Sequence, residues 1–182
     1  MDFEKLSISD LILIKPEVFG DQRGFFFEGY HQKKFLQNGI NINIVQQNHS
    51  GSKKNILRGL HYQIKNSQSK LVRALKGEIF DVAVDLRKSS PSFGKWVGVI
   101  LSEENKYELW VPSGFAHGFY VMSDWAEVEY CTSDFYAPEH ERSILWNDPD
   151  LGIKWPIPKG EAPTLSIKDT HGKLFKDAEV YD

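Results

Sequence analysis

Arg58-Gly59-Leu60-His61-Tyr62-Gln63 sets an imidazole beside a guanidinium, with a glycine between them. Imidazole titrates near neutral pH, so His61 is suited to act as a general base. The competing reading is a core histidine satisfied by a backbone carbonyl. A second imidazole, His117, closes Pro112-Ser113-Gly114-Phe115-Ala116-His117. Two imidazoles make a poor site for a transition metal, which usually takes three or more protein ligands. The residue two after His61 is Gln63, and no other histidine is near. The single cysteine, Cys131, excludes an internal disulfide and a multi-thiolate zinc site. The expected chemistry is therefore proton transfer by side chains, with neither metal nor cofactor.

The elements that must position these residues are short strands. Phe80, Val82, Val84 and Leu86 alternate with Asp81, Ala83 and Asp85, the period of a strand. Residues 70–75, 96–101, 108–111, 119–122 and 127–132 read the same way. Turn clusters separate them: Lys88-Ser89-Ser90-Pro91, Pro112-Ser113-Gly114 and Asn147-Asp148-Pro149-Asp150. Such spacing without interleaved helices predicts an antiparallel sandwich or barrel. His31 to Asn38 is the best internal helix, ended by Gly39, and the last thirty or so residues are expected to wrap the body as loops with a short helix. Pro112 to His117 has the P-x-G-x-x-H form of the second cupin motif, and Lys76-Gly77-Glu78 lies where the first belongs. The expected fold is all-β, a cupin-type double-stranded β-helix (jelly roll) with a few short peripheral helices and a dismantled metal site.

Composition bounds the function. The chain of 182 residues fits one domain spanning 1–182. A net charge of −3 gives no general attraction to nucleic acid or to an anionic membrane, so an anionic ligand needs a local cluster of cations. No apolar run is long enough to span a bilayer, and Met1 to Asp10 has no apolar signal core. A cytoplasmic enzyme is the expectation.

Ordered motifs along nearly the whole chain resemble the dTDP-4-dehydrorhamnose 3,5-epimerase family. They include Asp21-Gln22-Arg23-Gly24-Phe25-Phe26, Gln46-Gln47-Asn48-His49-Ser50, Leu57 to Gln63, Lys70-Leu71-Val72-Arg73, Trp110 to Phe119, Tyr136-Ala137-Pro138-Glu139-His140-Glu141 and Leu165-Ser166-Ile167-Lys168-Asp169. The resemblance implies a substrate, a dTDP-linked 4-keto-6-deoxy sugar, whose C4 ketone acidifies the protons on C3 and C5. It implies that His61 is the base and that Asp169 orients it, fixing its tautomer and stabilising the imidazolium. Lys70 would stabilise negative charge on the C4 oxygen. Tyr130 would be the acid, a phenol of reference pKa ~10 and so protonated at neutral pH. Tyr136 is a second aromatic that packs on the substrate, and His117 belongs with the binding residues.

The nucleotide half needs cations and base contacts. Arg58 and Arg23 are the diphosphate candidates, because guanidinium meets phosphate in a forked geometry. Gln46 and Asn48 share one strand face and can hydrogen-bond a pyrimidine, with Phe26 stacking on the base and Glu28 bonding it. The resemblance implies that the arm carrying Arg23, Phe26 and Glu28 comes from the neighbouring subunit of a homodimer. Strict alternation puts Arg58 and His61 on opposite faces of a strand, and a bulge at Gly59 is the device that would reunite them. Two departures from the family pattern, Ser69 before Lys70 and a short loop 65–68, bear on the pocket rim. Single-carbon epimerisation, a 3,4-ketoisomerase, a non-catalytic sugar-nucleotide-binding cupin and a metal-dependent cupin oxygenase are the alternatives.

Overall fold

Short strands with one apolar face must bury that face against another sheet. The computed structural model describes residues 1–182 and resolves this need with two antiparallel sheets and a detached hairpin. The strands are β1 (Asp2–Lys5), β2 (Ile12–Lys15), β3 (Val18–Asp21), β4 (Gly24–Phe27), β5 (Gln46–Lys53), β6 (Leu57–Gln63) and β7 (Lys70–Lys76). They continue with β8 (Glu78–Asp85), β9 (Trp96–Ser102), β10 (Glu108–Val111), β11 (Phe115–Val121), β12 (Trp125–Thr132) and β13 (Glu141–Ser143). Helices are confined to α1 (Gln32–Gln37), α2 (Ile167–Thr170) and two single 3₁₀ turns. One sheet runs β1-β2-β10-β7-β12-β5, the other β13-β6-β11-β8-β9, and β3 pairs only with β4. This is the expected jelly roll. No helix is long and apolar enough to cross a membrane.

The core lies between the facing sheets. Leu13, Val72, Leu109, Val111 and Val128 of the first sheet pack against Ile79, Ala83, Leu101, Phe115 and Phe119 of the second. Each large apolar side chain so buried contributes about 1.5–3 kcal/mol. The outer face of the six-stranded sheet is covered by α1 and the segment after it, where Phe35, Ile40 and Ile42 pack on Ile12, Ile14, Leu71 and Trp110. The outer face of the other sheet is covered by the C-terminal segment, with Ile144, Leu151, Trp155, Phe175 and Tyr181 packed on the cluster of Leu60, Val82 and Ala116. The expected wrapping of the last residues is thus what closes that side.

Strand bounds differ from the sequence reading by one residue at the ends of β7 and β9, by two at the start of β8, and further at β11 and β12. β11 starts at Phe115 rather than Phe119, because Phe115 to Val121 is buried throughout and shows no alternation. β12 starts at Trp125, two residues before the expected 127.

The bulge at Gly59 is present. In the β6–β11 ladder His61 faces His117 and Arg58 faces Phe119, so Gly59 and Leu60 together stand opposite Gly118. Two residues against one reset the alternation, and Arg58 and His61 both reach the same cavity. Gly59 has φ of 120°, and a Cβ there would lie 2.6 Å from Gly118 Cα and 2.8 Å from the His117 carbonyl oxygen. Neither backbone atom can swing aside. Gly59→Ala is therefore expected to cost about 1–3 kcal/mol and to lower the thermal midpoint by roughly 2–10 °C. A variant that melts with the parent in a calorimetric scan would contradict this.

Candidate active site

A cavity of about 650 Å³ opens between the sheets, within the range of small-molecule sites. One wall comes from β6 and β11 and presents Arg58, His61, His117 and Phe119. The opposite wall comes from β5, β7 and β12 and presents Gln46, Asn48, Lys70 and Tyr130. Tyr136, Glu141 and the segment 164–169 complete the lining.

His61 and Asp169, 108 residues apart, meet with Nε2 2.6 Å from Oδ1. The same Oδ1 accepts the Gly59 amide at 3.2 Å, and Oδ2 accepts the Ser166 hydroxyl at 2.7 Å. Ser166 is the N-cap of α2 and Asp169 its third residue, so the pair form a reciprocal capping box. One carboxylate therefore fixes the helix start, the bulge and the imidazole together. The other ring nitrogen of His61, Nδ1, makes no bond within the chain.

Burial alone would raise the Asp169 pKa, but hydrogen bonds from His61, Ser166 and the Gly59 amide hold it at about 2. The sign follows from linkage. A carboxyl whose pKa falls from about 3.9 on folding binds fewer protons in the native state, so it stabilises above pH ~4. That contribution, about 2 kcal/mol, is lost as pH falls from about 4 through about 2. Denaturant unfolding of parent and Asp169→Asn at pH 6 and pH 2.5 should show the stability gap between them narrowing at the lower pH. A gap of equal size at both would refute this account.

Lys70 is 8% exposed, and its ammonium makes no bond within the chain. Burial draws its pKa down to about 8, partly offset by the carboxylates of Asp81 and Glu141. Tyr130 is raised, chiefly by burial, and stays a neutral phenol. His117 lies opposite His61 and is held by Asp81, with Nε2 2.9 Å from both carboxylate oxygens. Both cupin-position imidazoles are thus paired to carboxylates, and nowhere do three His, Cys, Asp or Glu side chains gather as a metal-binding group. Gln63, where a metal cupin carries histidine, instead bonds Asn66, Phe135 and Ala137.

On the β5 wall Gln46 Nε2 donates to Asn48 Oδ1 at 2.9 Å, and Gln46 Oε1 accepts the Tyr136 amide at 3.0 Å. The Arg58 Nε donates to Ser52 Oγ at 3.1 Å. Arg23, Phe26 and Glu28 lie off the cavity of their own chain. Arg23 bonds Asp21, Glu28 pairs with Lys34 at 2.7 Å, and Phe26 is 70% exposed on the hairpin β3–β4.

Glu141 and Lys168 are charged lining residues that the sequence reading missed. Glu141 accepts from the Tyr136 hydroxyl at 2.6 Å and pairs with Lys168, the neighbour of Asp169. Burial works to raise Glu141, yet these two bonds keep its carboxyl below the ordinary range. Both lie inside motifs already noted, but a glutamate beside His140 and a lysine at a helix start read as solvated charges. The capping spacing of Ser166 and Asp169 was the one local signal that this segment is ordered.

An imidazole braced by a carboxylate on one sheet, with a phenol and a buried ammonium on the other, makes this jelly roll an acid–base enzyme of cupin type. Residues 5–177 match the family model for dTDP-4-dehydrorhamnose 3,5-epimerase. The chain is 58% identical to the enzyme of that name from Pseudomonas aeruginosa over 182 residues, covering 100% of this chain and 99% of that protein. Its fold superposes with a TM-score of 0.94 on the Legionella pneumophila dTDP-6-deoxy-D-glucose-3,5-epimerase in complex with dTDP-4-keto-L-rhamnose, at 50% identity over 98% of this chain and 94% of that one. It is also similar to a 3′-monoepimerase from Streptomyces bikiniensis bound to dTDP-quinovose, with a TM-score of 0.87 and 34% identity over 94% and 86% of the two chains. The chain belongs to the dTDP-4-dehydrorhamnose 3,5-epimerase family of isomerases.

Proposed function

We propose that residues 1–182, acting as one catalytic domain, epimerise C3 and C5 of dTDP-4-keto-6-deoxy-D-glucose to give dTDP-4-dehydro-L-rhamnose, in dTDP-L-rhamnose biosynthesis. The observation that carries this reading is the placing of His61 and Tyr130 on facing sheets of one cavity. His61 takes the proton from the carbon next to the C4 ketone, and the electron pair moves onto the C4 oxygen. Lys70 stabilises that enolate oxygen. Tyr130 returns a proton to the opposite face, which inverts the carbon. Solvent then removes the proton from His61 and restores the one on Tyr130, and the cycle repeats at the second carbon. Asp169 keeps the imidazole in one tautomer and stabilises its cation.

Gln46 and Asn48 suit the edge of a pyrimidine, Tyr136 its face, Arg58 the diphosphate, and His117 the region between the phosphates and the sugar. The identity to two-carbon epimerases, 58% and 50%, exceeds the 34% to the monoepimerase and favours inversion at both centres. Incubation with the substrate in deuterated water tests it. Deuterium should enter at both C3 and C5 with both inverted, and exchange confined to one carbon would refute the two-carbon reading.

The same proposal makes the active unit a homodimer with exchanged arms. The hairpin β3–β4 pairs with neither sheet and leaves Phe19, Phe25 and Phe26 more than half exposed, at 56%, 62% and 70%. A free aromatic hairpin is a surface that a second copy would cover. It would bring the partner subunit's Arg23, Phe26 and Glu28 to the nucleotide. Mixing an Arg23→Ala chain with a His61→Ala chain is expected to restore one competent site per mixed dimer, up to about half of the parent's sites in each such dimer. No regain of activity on mixing, once mass spectrometry confirms that mixed dimers form, would refute arm exchange.

A further inference from the structure

Two connections cross from one sheet to the other beside Lys70. The β6–β7 loop, residues 64–69, leads from the strand of His61 to the strand of Lys70, and the turn 112–114 leads from β10 to β11. Serine hydroxyls lace the two together. The Ser113 amide donates to Ser69 Oγ at 3.1 Å, and the two hydroxyls meet at 3.1 Å. Ser113 gives its hydroxyl proton to the Ser67 carbonyl at 3.0 Å, so Ser69 is the donor between the pair. Ser67 Oγ accepts the Gly114 amide at 3.2 Å and donates to the Tyr181 hydroxyl at 3.1 Å, which donates in turn to the Gln63 carbonyl at 2.6 Å. Each hydroxyl of this series gives one bond and takes one. The main chain of Ser69 is held from the other side, where its amide donates to Ser133 Oγ at 2.9 Å and its carbonyl accepts the Ser133 amide at 3.2 Å. Lys70 follows directly. Its ammonium is buried and unbonded, so its place is set by where β7 begins. Asp81 and Glu141 act on it through space, and His61, His117 and Tyr130 share its cavity.

We infer that Ser69 is a positioning residue for Lys70: its hydroxyl, joined to Ser113, staples the two inter-sheet connections and fixes the start of β7, so that the ammonium is aimed at the C4 oxygen of the substrate. A group that stabilises a developing charge must be held within about 0.5 Å of its place by the bonds behind it. Ser69 departs from the family pattern, so the staple adds to what the family shares. The inference rests on the role given to Lys70 above.

Steady-state rates of Ser69→Ala with dTDP-4-keto-6-deoxy-D-glucose, from pH 6 to pH 10, test it. At neutral pH kcat is expected to fall about three- to ten-fold, the size of one hydrogen bond. KM should stay within about two-fold, because the enolate charge exists only beyond the ground state. The alkaline limb of kcat should move up from about 8, since a loosened strand start admits water to the ammonium and relieves its desolvation. Ser69→Thr keeps the hydroxyl and should restore both rate and limb. In a Lys70→Met background Ser69→Ala should cost less than about two-fold more, since it acts through Lys70. Parental kcat and an unmoved limb in Ser69→Ala overturn the inference. So does a loss that persists in full once residue 70 is methionine, or a Ser69→Thr variant no better than Ser69→Ala. If Lys70→Met alone keeps parental turnover and the alkaline limb, the oxyanion role of Lys70 falls first, and the positioning role of Ser69 with it.

Discussion

Replacing His61 by alanine is expected to stop hydrogen exchange at both C3 and C5. One imidazole serves the two carbons in turn, so both signals should fall together, by at least the ~10²–10⁴-fold that a positioned general base supplies. Asp169 is bonded to Nε2 of that ring at 2.6 Å, and no other cavity imidazole is free to substitute, because His117 is held by Asp81. Tyr130→Phe is the matching control. It keeps the ring in its strand and removes only the proton donor, so deuterium should still wash in at one or both carbons while net inversion falls. Proton NMR of the sugar in deuterated water reads both quantities. Near-parental C5 exchange in His61→Ala would remove His61 as the base, and normal inversion by Tyr130→Phe would remove Tyr130 as the acid.

Lys70→Met is expected to lower turnover by roughly 10²–10³-fold, the usual effect of deleting one donor to a developing oxyanion. Methionine matches the length of the lysine stem and suits a site that is 8% exposed, so the fold should persist. The parent carries a second signature. Burial holds the Lys70 pKa at about 8. The protonated form is the one that stabilises the enolate, so turnover should decline as pH rises through about 8, and Lys70→Met should lack that limb. Steady-state rates from pH 6 to pH 10 check both points. An alkaline limb of the same position in Lys70→Met would assign it to another group.

Much of the fold was legible because each inner strand announces itself by pattern or punctuation. β10 matches its expected bounds, 108–111, since Pro112 cannot continue the ladder. The hairpin β3–β4 was not legible as strands: every residue of β3 is exposed, so no burial alternation exists to be read. Its aromatic tip was recognised only through the motif around Arg23. The site divides in the same way. His61 stands out from its neighbours, and Gln46 and Asn48 share a face by simple counting. Asp169 is a surface-like residue until the chain folds back over 108 positions to meet His61, a contact that no local pattern encodes. Glu141 was overlooked for the same reason, because its worth comes from Tyr136 and Lys168 arriving from separate elements.

The walls of the cavity belong to different sheets, and the distance between those sheets is fixed elsewhere, by the side chains packed between them. Leu101, Leu109, Val111 and Phe115 act as spacers for a reaction in which they take no part. A close-packed interior does not yield to small changes in volume without shifting its boundaries, and a displacement of about 1 Å between reacting groups can cost 10²-fold in rate. The gap between proton acceptor and proton donor is therefore calibrated by the hydrophobic core. Substitutions that thicken or thin that core should detune stereochemical inversion before they unfold the protein, so that turnover reports the sheet-to-sheet spacing more sensitively than a melting curve does.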